Sequence, residues 1–185
     1  MASDELDADE SEDLPTVLGK APAELILGFL SCPTLNSNFV GAVLVTDSRG
    51  RPLDFAFVEP IRPSTMQKLL YGKTLDEHVR IDVIARKLLQ GNSVRPDVVF
   101  VDTENLLVIR RIVDVPVAWL NSNDGSDTDD LSTLTYRTNE AHDDEAVVGQ
   151  LLSQLEGQVD FIEPFSRVTE ALKEALKTTQ GKQSQ

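Results

Sequence analysis

The sequence predicts one α/β domain: a mixed β-sheet with an N-terminal antiparallel hairpin, helices packed on it, and a disordered acidic N-terminus. Three observations carry that prediction. Short apolar, β-branched runs alternate along the chain with amphipathic segments of helical period, the pattern of helices layered on a sheet. Two of the runs flank Asp47-Ser48-Arg49-Gly50-Arg51, a stretch of turn-forming residues, and so predict a hairpin. The first thirteen residues hold seven acids and no base, a composition that does not bury enough apolar surface to fold.

A chain of 185 residues suits a single domain. The boundaries expected are a disordered acidic tail at 1–15, one α/β domain at 16–178 with a flexible acidic loop at 121–131, and a disordered tail at 179–185. A folded unit of about 150 residues buries roughly 70% of its unfolded surface and needs no cross-links. The single cysteine, Cys32, is read accordingly as a small apolar filler. The N-terminus has neither the basic start nor the apolar core of a secretory signal. No apolar run approaches the ~20 residues that span a bilayer. A cytoplasmic chain without a membrane partner is the expectation.

The elements follow in order. Residues 25–30 form an apolar strand ending before Cys32-Pro33, and residues 39–46 a strand buried on both faces. Pro52 opens its partner, where Leu53, Phe55 and Phe57 alternate with Asp54, Ala56 and Val58. Pro63 and the pair Ser64/Gln67 start a short helix with capping-box spacing. Thr74 and Glu77 have the same spacing and start a second helix, in which Ile81, Ile84, Ala85 and Leu88 share one face. Gly91-Asn92 stops it.

Residues 97–102 read as a buried strand with a carboxylate at each end. Residues 106–112 fit helix or strand equally well. Residues 115–120 read as a strand whose internal Pro116 suggests an edge. Residues 134–138 add one more strand. Two amphipathic helices close the domain, one carrying Val148, Leu151, Leu152 and Leu155, the other Phe165, Val168, Leu172, Ala175 and Leu176.

The net charge of −14 sits half in the first thirteen residues. So acidic a balance argues against non-specific binding to nucleic acid or anionic lipid, which require Lys and Arg. A cluster of Arg80, Arg86, Lys87, Arg110 and Arg111 reads as a solvated helix face, with a phosphate-binding surface as its functional counterpart.

Two constellations bear chemistry. Asp47 and Asp102 each end an apolar strand, where open α/β sheets place their ligands. If the strands are neighbours, the carboxylates share a divalent ion, Mg or Mn, with Glu59 or Glu77 as a third oxygen donor. The competing reading makes them turn and cap residues. The second constellation is Arg62, Ser64, Thr65, Lys68 and Tyr71, which would bind an anionic group at the start of the first helix. There the competing reading is a capped helix with a structural arginine.

The remaining motifs exclude more than they assign. Residues 121–130 are rich in Asp, Asn and Ser, but the EF-hand template would put Leu120 and Leu131 at its ligand ends. His78 reads as a half-buried helix residue and His142 as part of a polar helix start. Glycine loops for phosphate and Cys/His spacings for zinc are both missing.

The element order, three strands, a helix, a strand, an undecided segment, a strand and a helix, resembles the ribonuclease H-like arrangement of metal nucleases. That resemblance implies an Asp on the central first strand. Residues 25–30 contain no acid, and only Glu24 precedes them. With no complete catalytic set, the function expected is a non-catalytic binding or scaffold module for a protein or small-molecule ligand, of unknown oligomeric state. The alternative is a divalent-metal-dependent hydrolase acting on phosphodiesters through the strand-end carboxylates.

Overall fold

The computed structural model describes residues 19–122 and 134–182. Its centre is a mixed sheet of seven strands: β1 (Ile26–Ser31), β2 (Thr34–Leu35), β3 (Asn38–Asp47), β4 (Pro52–Ile61), β5 (Val98–Val101), β6 (Val117–Ser122) and β7 (Leu134–Thr138). Across the sheet the order is β4-β3-β1-β5-β6-β7, with β2 extending the β1 edge of β3. β1 is antiparallel to β3 and parallel to β5, β5 is parallel to β6, and β6 is antiparallel to β7.

Local chemistry explains the hairpin. Asp47 accepts from the N–H groups of Arg49 and Arg51 and from Arg51 Nε, and Gly50 takes φ +74°. That region is open to glycine without a Cβ penalty. The bend between β1 and β2 at Cys32-Pro33, followed by Asn36 and Ser37 at positive φ, makes a second hairpin that the sequence reading did not foresee.

Helices cover both faces. On one, α4 (Glu145–Leu155) and α5 (Glu163–Lys182) bury Val148, Leu152, Val168 and Leu172 against Leu27, Phe29 and Phe100. On the other, a continuous helical run packs Ile81, Ile84, Ala85 and Leu88 onto Leu30, Val43, Val99 and Val101. The run consists of α2 (Leu75–Glu77), a π-helical stretch (His78–Ala85) and α3 (Arg86–Gly91). The apolar face expected from i, i+3, i+4 spacing is the buried one. Gly41 on β3 makes the approach possible, since a Cβ there would lie 2.4 Å from Ile84 Cγ2. Ahead of the run, α1 (Thr65–Tyr71) stands out with no buried residue.

Several expectations change. Ser64 and Gln67 form the capping box on α1, but Thr74 is helical and makes no cap bond; its hydroxyl donates to the Tyr71 carbonyl. The undecided segment is a 3₁₀ helix, Glu104–Ile112, whose Leu106 and Ile109 are buried. β6 is an interior strand, because Pro116 precedes it and offers its carbonyl to Val99 N–H. The loop expected at 121–131 starts later, since Asn121 and Ser122 belong to β6; most of it, with the tail at 1–15, lies outside the described residues. No helix among the described residues is long and apolar enough to cross a membrane.

Candidate functional site

β1 and β5 run side by side in the same direction, with Leu30 opposite Val101. The next residues, Ser31 and Asp102, therefore emerge together at the carboxyl end of the two central parallel strands. Ser31 Oγ donates to Asp102 Oδ2 at 2.5 Å, and Trp119 Nε1 donates to the Asp102 carbonyl at 3.3 Å. Asp102 Oδ1 is buried and has no hydrogen-bond partner among the described residues. An orphaned buried oxygen of this kind needs a reason.

Burial raises the Asp102 pKa, and the Ser31 hydroxyl, the Asp102 backbone N–H, the Arg80 charge and the Thr103 side chain only partly offset it. The sign of the linkage follows. A carboxyl whose folded pKa lies above the ordinary ~3.9 binds more protons folded than unfolded between the two values. Stability contributed at this site is then lost as pH rises through that window. The stability difference of Asp102→Asn relative to wild type should accordingly shift in favour of Asn between pH 3 and pH 7 in urea titrations. A pH-independent difference would show that Asp102 titrates normally.

The surroundings are braced. Arg80, reaching up from the π-helical stretch, donates to the Cys32 carbonyl, to Thr34 Oγ1 at 2.9 Å and to Asp76 Oδ2 at 2.7 Å. Its guanidinium lies 5.3 Å from the centre of the Phe39 ring. Cys32 beside it is buried, and desolvation with the nearby Asp102 charge pushes its thiol up to about 12. A thiol in that state is not a nucleophile, in accord with its reading as a filler.

The four candidate metal ligands do not converge. Asp47 pairs with Ile26 at the amino end of β1, whereas Asp102 lies level with Ser31 at the carboxyl end. Five residues of strand put them about 17 Å apart along the sheet. Asp47 works in the hairpin turn instead. Partial burial pulls its pKa upward, but the bonds from Arg51 and Arg49 prevail and hold it below the usual value. Glu59 is exposed on β4, which β3 separates from β1. Glu77 is paired with Arg111 at 3.0 Å. Among the described residues no group of three or more His, Cys, Asp or Glu is placed to hold a metal ion.

Arg62, Ser64, Thr65, Lys68 and Tyr71 come together on one exposed, seven-residue helix and its lead-in. The Ser64 N–H is taken by Gln67 Oε1 at 2.8 Å, and Tyr71 stacks on the His78 ring at 4.4 Å. His78 is half-buried as expected, with Nδ1 3.3 Å from Asp82. Four of the five residues of the expected basic cluster, Arg80, Arg86, Arg110 and Arg111, each face a carboxylate, and Lys87 has no ion pair among the described residues. Sequence reasoning missed Ser31 and Trp119, and it placed Arg80 in a basic cluster rather than at the bend after β1. Only Ser31 left a trace in the sequence, as the first polar residue after an apolar strand.

No protein-family model matches the sequence, and comparison with curated proteins gives no match. Solved structures do resemble the fold. The endonuclease V of Streptomyces avermitilis superimposes with a TM-score of 0.54 at 13% identity, over 87% of this chain and 85% of that one. The fold is similar to that of an endonuclease V. Two further likenesses are too partial to bear weight. The Ciona intestinalis endonuclease V bound to inosine-containing DNA gives a TM-score of 0.34 at 11% identity, over 54% of this chain and 49% of that one. The Marinitoga piezophila Argonaute with guide RNA gives 0.30 at 14% identity, over 55% and 16%.

The endonuclease V fold corrects the expectation of a non-catalytic binding or scaffold module for a protein or small-molecule ligand. The fold carries a nuclease in the Streptomyces protein, the class that had stood as the alternative. It equally corrects the charge argument against nucleic acid as a partner. Net charge sums the whole chain, half of it in the first thirteen residues, and does not report the charge at any one site.

Proposed function

We propose that this chain is a nucleic-acid-processing phosphodiester hydrolase, working at the carboxyl ends of β1 and β5 with Asp102 as its carboxylate. The observation that carries the reading is Asp102 itself. It is a half-buried acid whose buried Oδ1 has no hydrogen-bond partner among the described residues, at the end of the sheet where α/β folds place their ligands. The endonuclease V-like fold supports the same class. A cytoplasmic setting belongs to this proposal.

The donor set fits a divalent ion such as Mg or Mn only in company with substrate. Asp102 and Ser31 Oγ are the protein oxygens at the site, and Mg²⁺ is commonly held by one or two carboxylates plus substrate phosphates. When bound, such an ion polarises a phosphoryl oxygen and acidifies a water. The chain's own residues do the positioning. Ser31 fixes the Asp102 carboxylate through Oδ2 and leaves Oδ1 free. Arg80 holds the bend after β1 in place, so that the strand end does not drift from β5.

The test is cleavage of single- and double-stranded DNA and RNA with Mg²⁺, Mn²⁺ or EDTA. Metal-dependent cleavage is expected. Asp102→Asn should lower it by about 10²-fold or more, the scale of a group acting at the reacting centre. Ser31→Ala should lower it by about 10-fold, as for a residue that orients a ligand. Cleavage that survives EDTA, or that Asp102→Asn leaves intact, would overturn the proposal.

A further inference from the structure

We infer that the exposed face of α1 is a docking surface for the chain's own acidic N-terminal segment, residues 1–15. Met66, Leu69 and Leu70 stand at i, i+3 and i+4 on this helix and are 63%, 73% and 75% exposed. Helices this short are not stable on their own, and α1 is held by its capping box and chain connections without any buried residue. Its apolar stripe is therefore unpartnered among the described residues.

The charge around the stripe identifies what covers it. Residues 60–75 contain three basic residues and no acid, in a chain with 31 acids among 185 residues. Arg62, Lys68 and Lys73 have no carboxylate partner among the described residues; Arg49, Lys87 and Arg95 are the same, but only the first three stand together beside an exposed apolar stripe, whereas Arg80, Arg86, Arg110 and Arg111 are paired. The surface is thus both apolar and locally cationic. Residues 1–13 offer the complement: seven acids without a base, together with Leu6 and neighbouring Leu14.

The tether is long enough. Gly19 leads toward the amino end of β1, and α1 follows β4 at the opposite end of the sheet. β1 is about 20 Å long, and the residues ahead of Gly19 reach about 60 Å when extended. A second copy of the chain is a poorer fit. It would set Lys68 and Lys73 against their own counterparts, between two chains of net charge −14. An anionic membrane meets the same net charge.

The test keeps the full chain and replaces its seven N-terminal acids by Asn or Gln. Backbone amide shifts should change at residues 62–73 and little elsewhere. A synthetic peptide of residues 1–15, added to that variant, should reverse the shifts. Its affinity should fall about tenfold or more in a Lys68→Glu/Lys73→Glu background, and by a similar factor between about 50 and 500 mM salt, as for partly screened charge. The proposal fails if residues 62–73 do not respond to the acid replacements. It also fails if sedimentation shows a doubled mass that Leu69→Ser abolishes, since the face then belongs to a second copy. Neither readout depends on cleavage, so the docking and the hydrolase reading stand or fall separately.

Discussion

Asp144→Ala is expected to destabilise the protein by about 3–5 kcal/mol, the usual cost of leaving one member of a buried ion pair alone. Asp144 opens α4, and its side chain is only 3% exposed. Arg110 from the 3₁₀ helix meets it with two nitrogens, Nε to Oδ2 at 2.7 Å and Nη2 to Oδ1 at 3.3 Å. The third nitrogen donates to the Val113 carbonyl at 2.9 Å. The pair joins elements that pack on opposite faces of the sheet, so its loss strands a guanidinium that water reaches poorly. Urea midpoints measure the effect. Arg110→Met should cost a comparable amount, and the double variant Arg110→Met/Asp144→Leu clearly less than the sum, because it buries no charge. Additive losses would show that the two residues act independently.

Gly41→Ala should cost about 1–3 kcal/mol by overpacking, toward the upper end because little nearby can give way. The new methyl would meet Ile84 Cγ2 at 2.4 Å, Cys32 Sγ at 3.2 Å and the Ser31 carbonyl at 3.3 Å. Ile84 is fully buried in the π-helical stretch, and the Ser31 carbonyl belongs to the sheet. The control is Ile84→Ala, which alone removes core volume at about 2–5 kcal/mol. In the Gly41→Ala background it should cost much less, since the added methyl fills part of the space. A Gly41→Ala variant as stable as wild type would mean that the helical run shifts freely on the sheet. That shift would also move Arg80, whose bonds brace the bend after β1.

What was legible in the sequence was local. The Asp47–Arg51 turn, the Ser64/Gln67 cap on α1, the apolar strand ahead of Asp102 and the faces of α4 and α5 depend on neighbours within a few residues. Turn chemistry and side-chain periodicity report such neighbours directly. Local reading misled where residues distant in the chain decided the outcome. Thr74 and Glu77 have capping spacing, yet the helix passes straight through Thr74, and Glu77 turns to Arg111. Pro116 suggested an edge strand because its place just ahead of β6 depends on β5 alongside.

Strand order and direction were decided by tertiary structure alone. Asp47 and Asp102 are equivalent in sequence, each an acid closing an apolar strand. Because β3 runs against β1 and β5 runs with it, the two acids come out at opposite ends of the sheet. Period-two alternation says which residues are buried but not which way a strand points or what lies beside it. For the same reason Ser31 gained its place next to Asp102, and Arg110 found Asp144, only once the chain had folded. The sequence by itself determined the elements and the acidic balance of this protein. The packing of those elements decided which carboxylate keeps a buried oxygen without a partner, because that depends on contacts between residues far apart in the chain.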